Sequence, residues 1–408
     1  MRRFRRKFLG MATLLSLLLV GAACGWERDN LMVTSSDPVL AEAAGKILTD
    51  LADRSGLVLR GPVRLERRTR SELEEYLEFK LDQELAEERA ELLAESYWLL
   101  GLLPPDFELR VALKELYLEQ VAGFYDPDST TLFVLADQPE SLLEPLLAHE
   151  LVHAIQDQSI DLDAITDRRL GNDRQAAAQA AIEGHATLVM FEFLLERQQR
   201  ETMDLTTIPN FTDRIRPALE VARTQSPTLA SAPLILQESL LFPYLGGATF
   251  VEELWKREIG RPSPFGVRLP QSTEQVLHPE RFLEGVRDVP EEIELSVGMG
   301  WRTLYEDTLG ELEIGILLET FGEDRGGAAG WGGDRYALLE SEDGERALAW
   351  FTVWDSETGR DSFVEALSPH LPSYPSGVEQ LVVDVGGLPG MILLIGGTPD
   401  VAASITGR

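Results

Sequence analysis

The sequence predicts an α+β protein in two units: a mainly helical one with a small sheet and, from about Pro290, a smaller unit mixing strands and helices. Three observations carry this expectation. Residues 142–155 and the Ala-rich 174–195 repeat apolar side chains at helical spacing and read as buried helices. Residues 124–135 hold two short aromatic and β-branched runs around a Pro-Asp turn, the mark of a strand pair. Beyond Pro290 the texture changes to strand-like pairs at 335–339 with 346–354 and at 380–385 with 391–395. Helical stretches at 360–371 and 399–405 follow them, as though a ββα unit occurred twice.

Taken in order, residues 1–23 read as a signal peptide, 24–36 as a polar tether, 37–289 as the first folded unit and 290–408 as the second. Residues 37–53 predict a helix, and 58–69 a strand interrupted by Pro62. Residues 71–100 predict one charged amphipathic helix opened by an approximate capping box, Ser71-Glu72-Leu73-Glu74. A helix at 108–121 leads into the strand pair. In the 142–155 helix Pro145 marks either the start of regular hydrogen bonding or a kink. Residues 202–233, with Pro209, Pro217, Pro227 and Pro233, cannot sustain one helix and predict a mobile crossing over a cleft. A helix follows at 248–257. Residues 291–321 look helical in outline, 325–333 form a Gly-rich turn, and Trp331 to Tyr336 read as a structural turn with Trp331 packed.

Chemistry concentrates at His149-Glu150-Leu151-Val152-His153. On a helix, residues i and i+4 share a face, so both imidazoles can reach one tetrahedral Zn2+ while Glu150 stands beside a water activated there. The chain has only 5 histidines, and two of them flank a Glu at this spacing. Such a site needs a third ligand. Glu183 and His185, on the next long helix, are the candidates; lying two residues apart, about 200° around a helix, they cannot both face the ion.

HELVH followed by a Glu on the next helix resembles the gluzincin branch of the zincin metallopeptidases. More narrowly, the segments GFYDP, HELVHAIQDQ, AIEGHA, FPYLGGATFV, STEQVLHPERF and GWGGDRY, spread over residues 123–336, are similar to a group of largely uncharacterised bacterial secreted or lipid-anchored proteins of metallopeptidase type. The resemblance implies a zincin-like first unit and Glu183 as third ligand, with His185 a bystander. In several gluzincins an Asp four residues after that Glu steadies a ligand histidine; here the position is Thr187. Asp157, one turn after His153, is a candidate for that support, although a solvated surface residue is the preferred reading. An oxyanion stabiliser would come from Tyr244 or His278, each of which also has an ordinary structural reading as packing or turn residue.

The N-terminus bears on location. Arg2, Arg3, Arg5, Arg6 and Lys7 precede an uncharged run ending at Cys24, the only cysteine. The run is short for a membrane helix and suits a signal peptide. Val20-Gly21-Ala22-Ala23-Cys24 resembles a bacterial lipobox, which implies lipid on Cys24, although Leu is usual where Gly21 stands; the alternatives are plain secretion after cleavage at Ala23 or an uncleaved anchor. Loss of the five cations of residues 1–23, which hold no acid, takes the formal net charge from −32 to −37. So acidic a body argues against nucleic acid as a partner. With one cysteine there is no internal disulfide, and 44% hydrophobic residues must supply the stability through a core. The expectation is therefore zinc-dependent hydrolysis of peptide bonds in peptide or protein substrates outside the cytoplasm, by a chain tethered to the membrane through Cys24. The alternative is an inactive zincin-fold lipoprotein that binds metal or substrate without cleaving.

Overall fold

The computed structural model describes residues 32–199, 204–208, 211–217, 226–285, 288–397 and 399–406. The expected signal peptide (1–23), Cys24 and most of the expected tether lie outside the described residues. Within them the chain is an α+β protein, helical in its N-terminal part and ending in an antiparallel sheet.

Strand β1 (Val33–Ser35) leads into helices α1 (Pro38–Gly45) and α2 (Leu48–Ser55). These replace the single helix expected over 37–53: Asp37 caps the first by accepting from Val39 N and Leu40 N, and the chain breaks at Lys46-Ile47 so that both apolar faces reach the core. Strand β2 (Val63–Arg68) begins only after Pro62, as proline in a strand requires. The expected 71–100 helix is likewise two, α3 (Arg70–Glu84) and α4 (Glu87–Leu100), parted at Leu85-Ala86. Its capping box starts two residues earlier than expected, with Thr69 and Glu72 as the reciprocal pair. Helix α5 (Leu109–Gln120) then delivers the chain to β3 (Gly123–Asp126) and β4 (Thr131–Leu135).

The first sheet has the order β1-β2-β4-β3, parallel except for β3, which runs antiparallel at one edge. Under it lies α6 (Glu140–Ser159), which starts two residues before the expected stretch and carries Pro145 in its second turn. Helix α7 (Asn172–Gln199) crosses α6, and α8 (Leu234–Arg257) packs along α7. Helix α8 corrects the expectation of a helix beginning at residue 248: it runs through Pro243, so Tyr244 is mid-helical rather than in a lead-in. Its length and composition would let it cross a bilayer, but half of its most apolar window is buried against the rest of the chain. Of the expected 202–233 crossing, the described pieces are a 3-10 turn at Leu205–Thr207, a helical stretch at 211–217 and a short helix at Pro227–Ser231. Phe211 N and Thr212 N donate to the buried carboxylate of Glu252 on α8.

After the short helix α9 (Thr273–Leu277) the expected helical stretch 291–321 proves to be two strands and one helix: β5 (Glu292–Val297), β6 (Trp301–Asp307) and α10 (Gly310–Thr320). The supposed turn at Trp331 to Tyr336 is the start of β7 (Trp331–Ser341), which pairs with β8 (Arg346–Trp354). Trp331 is packed as expected, 1% exposed. Helix α11 (Glu357–Leu367) follows, then β9 (Val378–Val385), β10 (Leu388–Gly396) and β11 (Val401–Thr406). Because the last segment is a strand where a helix was expected, the second ββα unit does not exist. Instead β6-β7-β8-β10-β9 form one antiparallel sheet, and β11 pairs with β5. Alternate residues explain the near-continuous burial of β7 and β8. Tyr336, Leu338, Leu348 and Trp350 face the core shared with the helices, while Ala337, Leu339, Ala347 and Ala349 face the β5-β11 ribbon side. The main hydrophobic cluster runs unbroken from Val33 to Ile395, so α10 and the sheet complete the core on which α7 and α8 rest.

That junction buries carboxylates. Asp334 accepts from Leu309 N, Gly310 N, Trp331 Nε1 and Trp350 Nε1 at 2.9–3.0 Å and so caps the start of α10. Gly310 has φ +73°, and a Cβ there would stand 1.8 Å from Asp173 Oδ1, so only glycine fits. Burial, opposed by hydrogen bonds from Thr273 and reinforced by Asp334 and Glu311, pushes Asp173 up to about 7. Burial, opposed by Tyr97 and Asn172 and reinforced by Asp307 and Asp334, pushes Glu313 up to about 8. A carboxyl raised on folding holds a proton that the unfolded chain has already released, so its contribution is present at low pH and is lost as pH rises from about 4 through the folded-state values. The protein is therefore expected to melt several degrees lower at pH 8.5 than at pH 5.5, and Glu313→Gln should flatten the slope. Thermal melts across that range check this; a melting temperature that rises with pH would contradict it.

Candidate metal centre

The fourteen residues expected to be helical around HELVH bury Leu147, Leu151, Val152 and Ile155 completely, which fixes α6 in rotation. That fixed face carries His149 and His153, whose rings lie 4.7 Å apart at 85°. Their Nε2 atoms approach to 3.1 Å. From α7, Glu183 Oε2 comes within 3.0 Å of His149 Nε2 and 3.4 Å of His153 Nε2. Three donor atoms thus form a nearly equilateral triangle. With ligand bonds of about 2.0–2.1 Å, a tetrahedral zinc site has ligand-to-ligand edges of about 3.3 Å, so the triangle fits such an ion without rearrangement.

Electrostatics favours a cation at the same point. Burial works against charge on His153, yet Glu183 and Glu150 outweigh it and raise this imidazole to about 9. Burial would likewise raise Glu183, but the His153 charge and hydrogen bonds from both imidazoles hold it well below the usual carboxylate range. Glu150 is 8% exposed. Burial raises it, tempered by His153 and His149, and Tyr125 N donates to its Oε2 at 3.0 Å.

His153 is oriented by a residue the sequence reasoning missed. Gln156 Oε1 lies 2.9 Å from His153 Nδ1, while Gln156 Nε2 donates to Ile182 O and meets His185 Nδ1, both at 3.0 Å. The Ile182 carbonyl can only accept, so it fixes the amide with NH2 toward α7 and oxygen toward His153. His153 must then carry its proton on Nδ1, leaving the Nε2 lone pair for the ion. A glutamine three residues after the second histidine, on the same buried face, was the available signal. Asp157, the candidate for that support, instead accepts from Tyr125 OH at 2.7 Å. Thr187 is buried at 3% exposure.

His185 points the other way from Glu183, as their angular separation requires. It is fully buried against Trp255 and Phe265, and its Nε2 donates to Ser55 O at 3.1 Å. Burial, countered by Ser55 and helped by Arg261, lowers it to about 3, so it is neutral and closes the chain Ser55–His185–Gln156–His153. Gly184, between Glu183 and His185, serves helix packing. A Cβ on Gly184 would lie 2.0 Å from Gly247 C, and one on Gly247 would lie 1.9 Å from Ala180 O. The pair lets α8, not the histidine-bearing α6, approach α7 to backbone contact.

That contact delivers Tyr244 to the centre, its ring 6.0 Å from that of His149 and tilted by 32°. Tyr244 is 36% exposed. The Glu183 charge, then burial and Glu150, raise its phenol well above the ordinary value, so it remains a hydrogen-bond donor at any physiological pH. The other oxyanion candidate is elsewhere: His278 Nε2 pairs with Glu311 at 2.8 Å, at the junction with the C-terminal sheet. His278 is thus corrected to a structural residue.

Comparison with known proteins adds one match: a family model described as a domain of unknown function (DUF8575) covers residues 301–384, within the C-terminal sheet and its helices. No curated protein matches the chain. No solved structure matches it.

Proposed function

We propose that the chain is a zinc-dependent peptide hydrolase with a zincin-like helical unit of gluzincin type, His149, His153 and Glu183 being the ligands. The observation that carries this reading is the 3.0, 3.1 and 3.4 Å triangle of donor atoms with a buried, raised carboxylate, Glu150, one residue from the first ligand. Bound zinc, held by His149, His153 and Glu183, would supply Lewis-acid chemistry that polarises a carbonyl and acidifies water. Glu150 stands where it would accept a proton from an attacking water and pass it to the leaving amine, a role its raised affinity for protons suits. Tyr125 N holds the Glu150 carboxylate in place meanwhile. Tyr244 donates its phenol hydrogen to the oxygen that gains charge in the transition state.

Strand β3 supplies a place for substrate. It is the sheet edge, and its register with β4 turns the backbone groups of Gly123 and the carbonyl of Tyr125 outward, while Tyr125 N is taken by Glu150. An extended peptide adding to that edge would run past Glu150. The extracytoplasmic, lipid-anchored location proposed for the chain rests on residues 2–24, ahead of the described residues.

Metal analysis of the purified protein together with digestion of a peptide library tests this reading. One equivalent of zinc and chelator-sensitive cleavage are expected; a fully loaded protein that cleaves no peptide would favour the inactive metal-binding alternative. Tyr244→Phe is expected to retain zinc and lower kcat by about 10²- to 10³-fold with little change in KM, as loss of a transition-state hydrogen bond does. Unaltered kcat would remove Tyr244 from the mechanism.

A further inference from the structure

A second convergence of ligand-type side chains lies far along the chain from the histidine centre. Carboxylate oxygens of Glu274, Asp288 and Asp355 lie within 4.8 Å of one another. Glu274 belongs to α9 and Asp288 to the loop that leaves the helical part. Asp355 immediately follows β8, so the three groups come from both sides of the junction. Gln275 Nε2 pins the loop by donating to Asp288 O at 3.0 Å.

The resident counter-charge is incomplete. Arg281 pairs with Asp288 at 2.7 Å and Asp355 at 3.0 Å but stays 3.7 Å from Glu274 Oε1. Glu274 is 1% exposed, and its Oε1 is buried with no hydrogen-bond partner. Glu311, which adds its charge to the surroundings of Glu274, has a buried oxygen, Oε2, in the same condition. A buried carboxylate oxygen with no donor is costly, and proteins normally satisfy it with a donor or a metal. An oxygen-only ligand set, with His278 engaged by Glu311, suits a hard cation and not zinc. Irregular geometry drawn from a helix, a loop and a strand end suits calcium, which accepts six to eight oxygens including water, better than magnesium, which demands an octahedron. The Arg281 side chain is 40% exposed and has a route out to solvent when a cation enters.

We propose that Glu274, Asp288 and Asp355 form a calcium site that ties the C-terminal sheet to the helical part carrying the histidine centre. The site does not depend on the function proposed above. Calcium titration by calorimetry and thermal melting of the chelator-stripped, zinc-reloaded full chain test it. Wild type is expected to bind one calcium and to melt several degrees higher in millimolar calcium than in equimolar magnesium. Asp288→Asn and Asp355→Asn should each weaken binding by about tenfold or more and abolish the calcium-specific shift, with zinc content unchanged. Arg281→Gln, by removing the competing cation, should tighten calcium binding. Absence of a calcium-specific shift in wild type would show that Arg281 and a proton suffice. A shift that persists in both Asn variants would place the calcium elsewhere on this acidic surface; either result overturns the site.

Discussion

Glu183→Ala is expected to strip the histidine centre of its metal and of hydrolytic activity together, whereas His185→Ala should keep one equivalent of zinc. Glu183 Oε2 closes the donor triangle at 3.0 and 3.4 Å, and without it two imidazoles from adjacent turns are left to hold the ion. The loss in affinity should exceed the about 10- to 100-fold that removal of an outer-shell partner costs. His185 contributes as such a partner, through Gln156. Its truncation also leaves a buried cavity and removes the partner of Ser55 O and one of the two partners of Gln156 Nε2, so lower thermal stability and somewhat weaker zinc binding should accompany an intact ligand set. Metal content after dialysis against micromolar zinc, read beside the melting temperature, separates the two variants. Zinc lost with His185 and retained without Glu183 would make the site a three-histidine one and end the gluzincin assignment.

Glu150→Gln is expected to lower turnover by about 10²- to 10⁴-fold while leaving zinc content and fold intact. The substitution keeps the shape of the buried side chain and an oxygen able to accept from Tyr125 N, but it removes the proton acceptor. Because burial raises Glu150, the acidic limb of the wild-type kcat/KM profile should lie above the range of a solvated Glu, with activity rising as pH passes through it. Steady-state kinetics on a cleaved library peptide, with metal analysis of the same preparation, measures both. Undiminished cleavage by the loaded variant would assign the activity to another site or another protein.

Much of the fold was legible because local pattern and burial agreed. The apolar faces of α6 and α7 and the strand pair β3-β4 are visible in period and turn chemistry alone. The failures have specific causes. The 291–321 stretch mixes Glu-rich strands, buried on one side only, with the short helix α10, so acidic helix formers stood in strands whose pairing is long-range. The 399–405 segment becomes a strand only because β5, more than a hundred residues earlier, offers it an edge. The helix expected at 248–257 in fact begins at Leu234, because α8 has α7 against it to sustain the turn at Pro243, and the late start concealed how Tyr244 reaches His149.

The chain's own order of residues determined that His149 and His153 share a helix face, that Glu150 stands between them, and that Glu183 and His185 cannot serve together, since all of these follow from the 3.6-residue turn. Only the tertiary structure decided that α7 presents Glu183 rather than His185 to the imidazoles, that Gln156 rather than Asp157 holds His153, and that Tyr244 rather than His278 joins them. Those choices depend on how closely and at what rotation helices pack, which here is set by Gly184 meeting Gly247 and by a core extending into the C-terminal sheet. Distances between residues remote in sequence are properties of that packing, and no local periodicity encodes them.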